Sequence, residues 1–165
     1  MDKKKRKQIY EKYNGRCAYT GKRLVDGEWQ IDHMTSRFNI KYNAARNVAE
    51  RKDWDAYQET IEHVNDVDNL MPALTIVNHY KRSLDLEGFR EYMLTFHKRL
   101  AKLPKHTNSP STAKRIIYMN KVADVFGITV DKPFTGLFYF ETLTAPARRK
   151  EAKNKYYETT TRFNE

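Results

Sequence analysis

The chain has 165 residues, of which 39% are hydrophobic and 32% charged, so one domain of modest core carries a large charged surface. Lys and Arg outnumber Asp and Glu by 31 to 21, a formal net charge of +10, which favours a polyanionic partner, and 11 Tyr with 8 Phe supply rings that can stack or pack. Nothing approaches the ~18 consecutive apolar residues of a membrane span, no apolar run follows Met1 to Lys7 as in a secretory signal, and the single Cys17 excludes an internal disulfide and any Cys-only zinc site, so a reducing cytoplasm is the expected compartment.

Residues 2–14 read as a helix, with Ile9 and Tyr13 at i, i+4 and lysines on the other faces; Gly15 is its stop. The basic run from Lys3 to Lys7 is either a phosphate contact, with Lys4 and Arg6 as candidates, or a solvated first turn. Cys17 to Lys22 reads as a tight knuckle turning at Gly21. Leu24-Val25 and Trp29-Gln30-Ile31 flank Asp26-Gly27, a hairpin-turn pair, and the second arm ends in Asp32 and His33. From Thr35 to Val67 the chain is polar and weakly periodic, and Trp54, Tyr57 and Ile61 suggest one helix in this long insertion.

Asp68 to Leu74 is a second extended segment, and Thr75 to Arg82 a short helix bearing Asn78, His79 and Lys81. Asp85 can cap a further helix with Leu86, Phe89, Met93, Phe96 and Leu100 in an apolar stripe, read as core. A linker over 102–110 leads to a helix capped by Ser111 and stopped by Gly127, with Ile116, Ile117, Ala123 and Phe126 inward. Leu137 to Glu141 is a strand signal, and after Pro146 the chain is a polar, basic tail.

Four positions combine into a candidate site. Asp32 beside His33 is by itself more often a surface turn than a site; Asn69 can be an ordinary turn residue, and Asn78 a cap. Their order gives them meaning: one extended segment ends in Asp-His, a second carries Asn, and a short helix carries Asn-x-x-Lys. A hard divalent cation takes oxygen ligands, which Asp32 and Asn78 would provide while leaving positions for phosphate and water. Neutral imidazole at His33 can take a proton from attacking water. On an extended backbone the two adjacent side chains diverge, metal on one side and water on the other. Asn69 would brace the two segments and hold the histidine, and Lys81 and Arg82 lie close enough to contact phosphate. His79 is the alternative ligand to Asn78, since neighbours on a helix point about 100° apart and both cannot easily reach one ion.

In Tyr13 to Gly21, Asp32-His33, Asn69 to Pro72 and Asn78 to Lys81, with Ser83 to Arg90 continuing the match, the chain resembles the HNH endonucleases of the small phage and prophage type. The similarity covers residues 1–100 well and Phe138 to Glu141 more weakly. It implies an α+β protein: a ββα-metal core in a mainly helical domain, with a short C-terminal strand. The implied organisation is a nuclease domain over 1–103 (core 15–83, insertion 34–67), a helix and strand over 104–145 packed on or beside it, and a basic tail over 146–165. Implied too are one Mg²⁺ or Mn²⁺ ion on Asp32 and Asn78, His33 as general base and Asn69 as the structural asparagine.

The expected substrate is double-stranded DNA, cut one strand at a time, with a homodimer or repeated encounters needed to cut both. Basic segments at 3–7, 98–105 and 148–155 are the candidate backbone contacts. Phage packaging proteins are partners suggested by the family alone. The alternatives are a non-catalytic DNA-binding protein that retains the fold, and a sequence-specific restriction-type enzyme. Where many relatives clamp a structural zinc with two cysteine pairs, this chain has Cys17, Thr20, Leu74 and Val77. One thiolate does not make a four-ligand site, and Leu74 and Val77 are expected instead to pack against Cys17 as an apolar plug, roughly 1.5–3 kcal/mol per buried aliphatic side chain.

Overall fold

The computed structural model describes residues 2–51 and 54–143. The expected basic tail, with its 148–155 segment, lies outside the described residues. The fold is α+β, mostly helical around a small antiparallel sheet. No helix among the described residues is long and apolar enough to cross a membrane.

Helix α1 spans Lys3–Glu11, shorter than the sequence suggests. Asp2 caps it by accepting from the Lys5 amide at 2.7 Å. It ends early because Asn14 and Gly15 both take positive φ, 53° and 66°, and turn the chain into the knuckle. The helix is tied to the rest of the fold by buried Ile9 and by Lys12, whose ammonium donates to the carbonyls of Val67 at 2.8 Å and Leu70 at 3.2 Å.

The knuckle forms as expected. The Cys17 amide donates to Lys22 O and the Gly21 amide to Cys17 O, each at 2.8 Å. Gly21 sits at φ +72°, and a Cβ there would come within 2.7 Å of the Tyr139 ring, so backbone conformation and packing both exclude a larger residue.

Strand β1, Trp29–His33, does not pair across Asp26-Gly27. That dipeptide makes its turn, with Gly27 at φ +83° and the Glu28 amide on Val25 O at 3.0 Å, but Leu24-Val25 is not a strand. Leu24 instead donates its amide to Gly15 O, closing the knuckle. The partner of β1 is β2, Leu70–Leu74, in antiparallel register from Trp29↔Leu74 to His33↔Leu70. Pro72 is tolerated within β2 because its carbonyl accepts from the Ala18 amide at 2.8 Å. The N and C=O of one strand residue point the same way, so the missing N–H faces the knuckle and not β1.

The 34–67 insertion holds two helices where one was expected: α2, Arg37–Arg51, and α3, Trp54–Glu62. Two 3₁₀ turns, His63–Asn65 and Val67–Asn69, bring the chain back to β2.

Helix α4, Thr75–Lys81, follows β2 directly, and α5, Leu86–Leu94, is capped by Asp85, which accepts from Gly88 N at 2.8 Å. Thr95 interrupts the expected long helix, and α6, Phe96–Ala101, continues it. Phe89, Met93 and Phe96 are fully buried, as the stripe predicts. Helix α7, Pro110–Phe126, is capped by Ser109 and not by Ser111, because Pro110 takes the first helical position where its missing N–H does no harm. Its buried residues are Met119, Val122 and Ala123; Phe126 packs against the same core, as expected, and Ile117 faces outward.

The expected C-terminal strand is absent. Leu137 to Glu141 turns into a four-residue helix, α8, Tyr139–Thr142. Phe138 is fully buried, stacked on Phe89 at 5.3 Å, and edge-on to Tyr19 at 5.3 Å. The Tyr139 and Phe140 amides donate to Tyr19 O and Ala18 O at 3.1 and 2.8 Å, so this segment straps the knuckle. Arg90 holds the strap through a bidentate pair with Glu141, both contacts 2.7 Å. One apolar cluster runs from Cys17 and Trp29 through Val77, Phe89 and Val122 to Phe138. The 104–143 segment therefore packs on the same core as the first hundred residues. Cys17 and Val77 are fully buried in it, with Leu74 packed against it, the apolar plug expected at those positions.

Candidate functional site

The end of β1 lies where the knuckle, β2 and α4 meet. Alternation along the strand puts Gln30 and Asp32 on one face and Ile31 and His33 on the other. Helix α4 lies against the first face. Asn78 and Lys81, one turn apart, meet Gln30 and Asp32, two residues apart: Asn78 Nδ2 donates to Gln30 Oε1 at 2.7 Å, and Lys81 Nζ lies 3.2 Å from Asp32 Oδ2.

Asp32 is 4% exposed, and its Oδ2 is held by two partners while Oδ1 has only Lys81 at 3.4 Å. It accepts a short hydrogen bond from the Tyr19 hydroxyl and pairs with Lys81, which is 0% exposed and also donates to His33 O at 2.9 Å. Burial pushes the Asp32 carboxyl up and the Lys81 ammonium down, each opposed by the other's charge; the Tyr19 hydroxyl also favours the carboxylate. Burial and the neighbouring carboxylate push the Tyr19 hydroxyl well above its ordinary value, so it stays a donor.

His33 points away from Asp32 and is half-buried. Its Nε2 sits 3.1 Å from Asn65 Oδ1, which fixes the ring and, with Nε2 protonated, leaves Nδ1 as the basic atom. Burial lowers the imidazole pKa and outweighs the Asn65 hydrogen bond and the Asp32 charge, which favour the cation; Arg37 and Lys81 add to the lowering, so the neutral ring predominates at neutral pH.

Asn69 is 1% exposed and clamps two segments. Its Oδ1 accepts from Thr35 N at 2.8 Å, and its Nδ2 donates to Val64 O at 2.9 Å and Thr35 O at 3.2 Å. Its carbonyl takes the Met34 amide at 2.8 Å, extending the β1–β2 ladder past His33. The brace expected of Asn69 is therefore on the backbone around His33, and the side chain that touches the ring is Asn65.

The remaining candidates are placed differently from one another. Lys81, expected on phosphate, is sealed beneath Asp32 and cannot reach a backbone from there. Arg82 is exposed at the end of α4 with φ +56°, an unfavourable value for a residue with a Cβ. His79 is exposed on α4. Lys4 and Arg6 are both exposed, and Arg6 also lies over the Trp29 ring at 3.8 Å and donates to Trp29 O at 3.3 Å, which anchors α1. Tyr19, Gln30 and Asn65 were not picked out as site residues. Tyr19 stood within the Tyr-x-Gly knuckle and could have been found there; Asn65 has no local signal.

As a cation site, Asp32 and Asn78 offer hard oxygen donors: a carboxylate, and an amide whose nitrogen is already committed to Gln30 and whose Oδ1 is left for an ion. Among the described residues no group of three or more His, Cys, Asp or Glu side chains gathers round one point. No protein-family model matches the chain, and neither a curated protein nor a solved structure does.

Proposed function

We propose that the chain is a metal-dependent endonuclease of the HNH kind, with β1, β2 and α4 as its ββα unit, hydrolysing DNA phosphodiester bonds. The observation that supports this most is the divergence at the end of β1. Asp32 faces the α4 side chains, while a neutral, amide-anchored His33 faces the other way. Asp32 and Asn78 Oδ1 are the atoms that would hold one Mg²⁺ or Mn²⁺, which would stabilise charge on the phosphate and the departing oxygen. His33 Nδ1 takes a proton from the attacking water, Asn65 keeps the ring aimed, and Asn69 keeps the backbone on either side of the histidine in register.

The rival reading is a DNA-binding protein that keeps the fold without the chemistry, and one observation favours it: Lys81 and Tyr19 already occupy the Asp32 carboxylate. Plasmid nicking separates the two. Supercoiled DNA is expected to be converted to nicked circles with Mg²⁺ or Mn²⁺ and not with EDTA, and His33→Ala is expected to abolish conversion while retaining DNA affinity. Absence of nicking with every divalent metal would sink the enzyme reading, and unchanged turnover in His33→Ala would remove the base.

A further inference from the structure

Helix α2 carries an exposed aromatic stripe that the nuclease reading does not use. At about 100° per residue, Ser36, Ile40 and Ala44 form its inward side, and Ser36 and Ala44 are buried. On the opposite side Phe38 is 67% and Tyr42 59% exposed, followed one and two turns on by exposed Ala45 and Ala49. The two rings lie nearly parallel, 6.0 Å between centroids and 15° between planes, and i, i+4 spacing holds the pair out to solvent as one aromatic patch, the Phe38–Tyr42 tile. Arg37 and Lys41 form the adjoining exposed column, and the helix as a whole has four basic residues against one acidic. Helix α2 begins four residues after His33, and Arg37 is near enough to bear on that imidazole electrostatically.

We propose that the Phe38–Tyr42 tile is a stacking platform for unpaired nucleobases, with Arg37 and Lys41 on the backbone of the same strand. It rests on the nuclease reading in one respect: the platform would lead an unpaired strand toward His33. The preferred substrate class is then DNA with a single-stranded segment, such as a flap, fork or frayed end, over uniform duplex. The occupant follows from the combination of surfaces. Bases have π-faces that stack on exposed aromatic rings whatever their sequence, and the phosphates between them need cations at the same spacing. In a duplex the base faces are already stacked on one another, so the tile has nothing to grip. A protein partner that covered the tile would have to bury the flanking Arg37 and Lys41 or pair them.

Binding is measured in EDTA by fluorescence anisotropy, using a labelled 20-nucleotide mixed-sequence single strand and a 20-base-pair duplex. Wild type is compared with Phe38→Ala/Tyr42→Ala and Phe38→Leu/Tyr42→Leu. The alanine pair is expected to weaken single-strand binding roughly ten- to a hundred-fold while changing duplex binding less than about twofold. The leucine pair, which keeps apolar bulk but loses the π-face, is expected to behave like the alanine pair. Unchanged single-strand affinity in the alanine pair, equal losses on both DNAs, or a leucine pair that binds like wild type would each overturn the platform. So would a wild-type dimer in sedimentation that the alanine pair abolishes, because the tile would then be a contact between copies. The midpoint of thermal unfolding checks that both variants fold. Wild-type plasmid cleavage with Mg²⁺ is scored separately, so a protein that fails to nick yet passes the EDTA test retains the platform and loses only the nuclease reading.

Discussion

Lys81→Met removes the cation beneath Asp32 and keeps the side-chain volume. The lysine Nζ lies 3.2 Å from Oδ2 and 3.4 Å from Oδ1, and it also donates to His33 O at 2.9 Å, with both partners of the ion pair almost without solvent. At an effective dielectric of about 20 the attraction at this separation is roughly 5 kcal/mol. The intact pair contributes far less than that, because both charges have been taken out of water. Breaking it is a different matter: a buried carboxylate is left with the Tyr19 hydroxyl as its remaining partner, and loss of one member of such a pair costs about 3–5 kcal/mol.

The cost depends on pH in a definite direction. Asp32 is already pushed upward by burial, and without Lys81 it rises further. A carboxyl whose folded pKa lies above its unfolded value favours the fold while protonated and withdraws that contribution as pH rises through the window between the two. The penalty should therefore be about 3–5 kcal/mol at pH 8 and shrink toward the cost of the lost His33 carbonyl bond, about 1 kcal/mol, as pH falls below the unfolded carboxyl value of about 4. Urea unfolding followed by circular dichroism at several pH values reads this directly. Asp32→Asn/Lys81→Met, which removes both charges and keeps an acceptor for Tyr19, should recover most of the loss at pH 8. A loss below about 1 kcal/mol at pH 8, a loss that does not change with pH, or a double variant no better than the sum of the singles would refute the reasoning.

Asn69→Ala should cost about 3 kcal/mol in the same assay, since it orphans Thr35 N and Val64 O around a nearly solvent-free side chain. Asn69→Asp should be worse, because it keeps the acceptor but loses the donors and buries a charge; an aspartate milder than alanine would show that the clamp is not what stabilises this position. Gly21→Ala and Gly27→Ala share a positive φ, +72° and +83°, worth about 1–2 kcal/mol each. The Tyr139 ring crowds Gly21 and nothing lies within 4 Å of Gly27, so Gly21→Ala should lose measurably more, and equal losses would mean the C-terminal strap is not seated as described. Burial raises Tyr13 to about 12. A folded pKa above the unfolded value near 10 means stability is lost as pH climbs from about 10 to 12, and Tyr13→Phe should flatten that part of an alkaline unfolding curve.

The parts of the fold that could be read from the sequence are those whose determinants are close together in it. Asp85 followed by Leu86, Phe89 and Met93 contains its own cap and its own apolar period, and α5 lies where that pattern puts it. Pairing of β1 was misjudged for the opposite reason. Asp26-Gly27 is a genuine turn, but the strand that satisfies Trp29–His33 is about forty residues away, beyond any local signal. Helix α2 was missed because its inward side is Ser36, Ile40 and Ala44, too small and mixed to register as an apolar period. Phe138-Tyr139-Phe140 reads as strand because aromatic residues favour sheets; here the rings are wanted for packing against Phe89 and Tyr19, and the backbone satisfies itself on the knuckle instead.

The basic excess is also less free than the composition suggests. Lys5, Lys12, Lys81 and Arg90 all donate to backbone carbonyls of other segments, Arg16 does so within the knuckle, and Arg6 does so while lying on Trp29. Lys5, Lys12, Lys81 and Arg90 serve in this way as ties between elements, and Arg16 closes the knuckle locally. Their charge contributes to the general field that would draw in a polyanion. The distinction matters most at Lys81. It neutralises Asp32, so the resting centre has little net negative charge with which to hold a cation. A phosphodiester would bring the missing negative charge with it. On the nuclease reading, cation and DNA therefore strengthen one another's binding by the same factor, whichever arrives first. On the binding-only reading, the Asp32–Lys81 pair is a finished structural contact and no such coupling exists. The buried lysine, which the sequence presents as one more phosphate contact, is thus the residue on which the two readings divide.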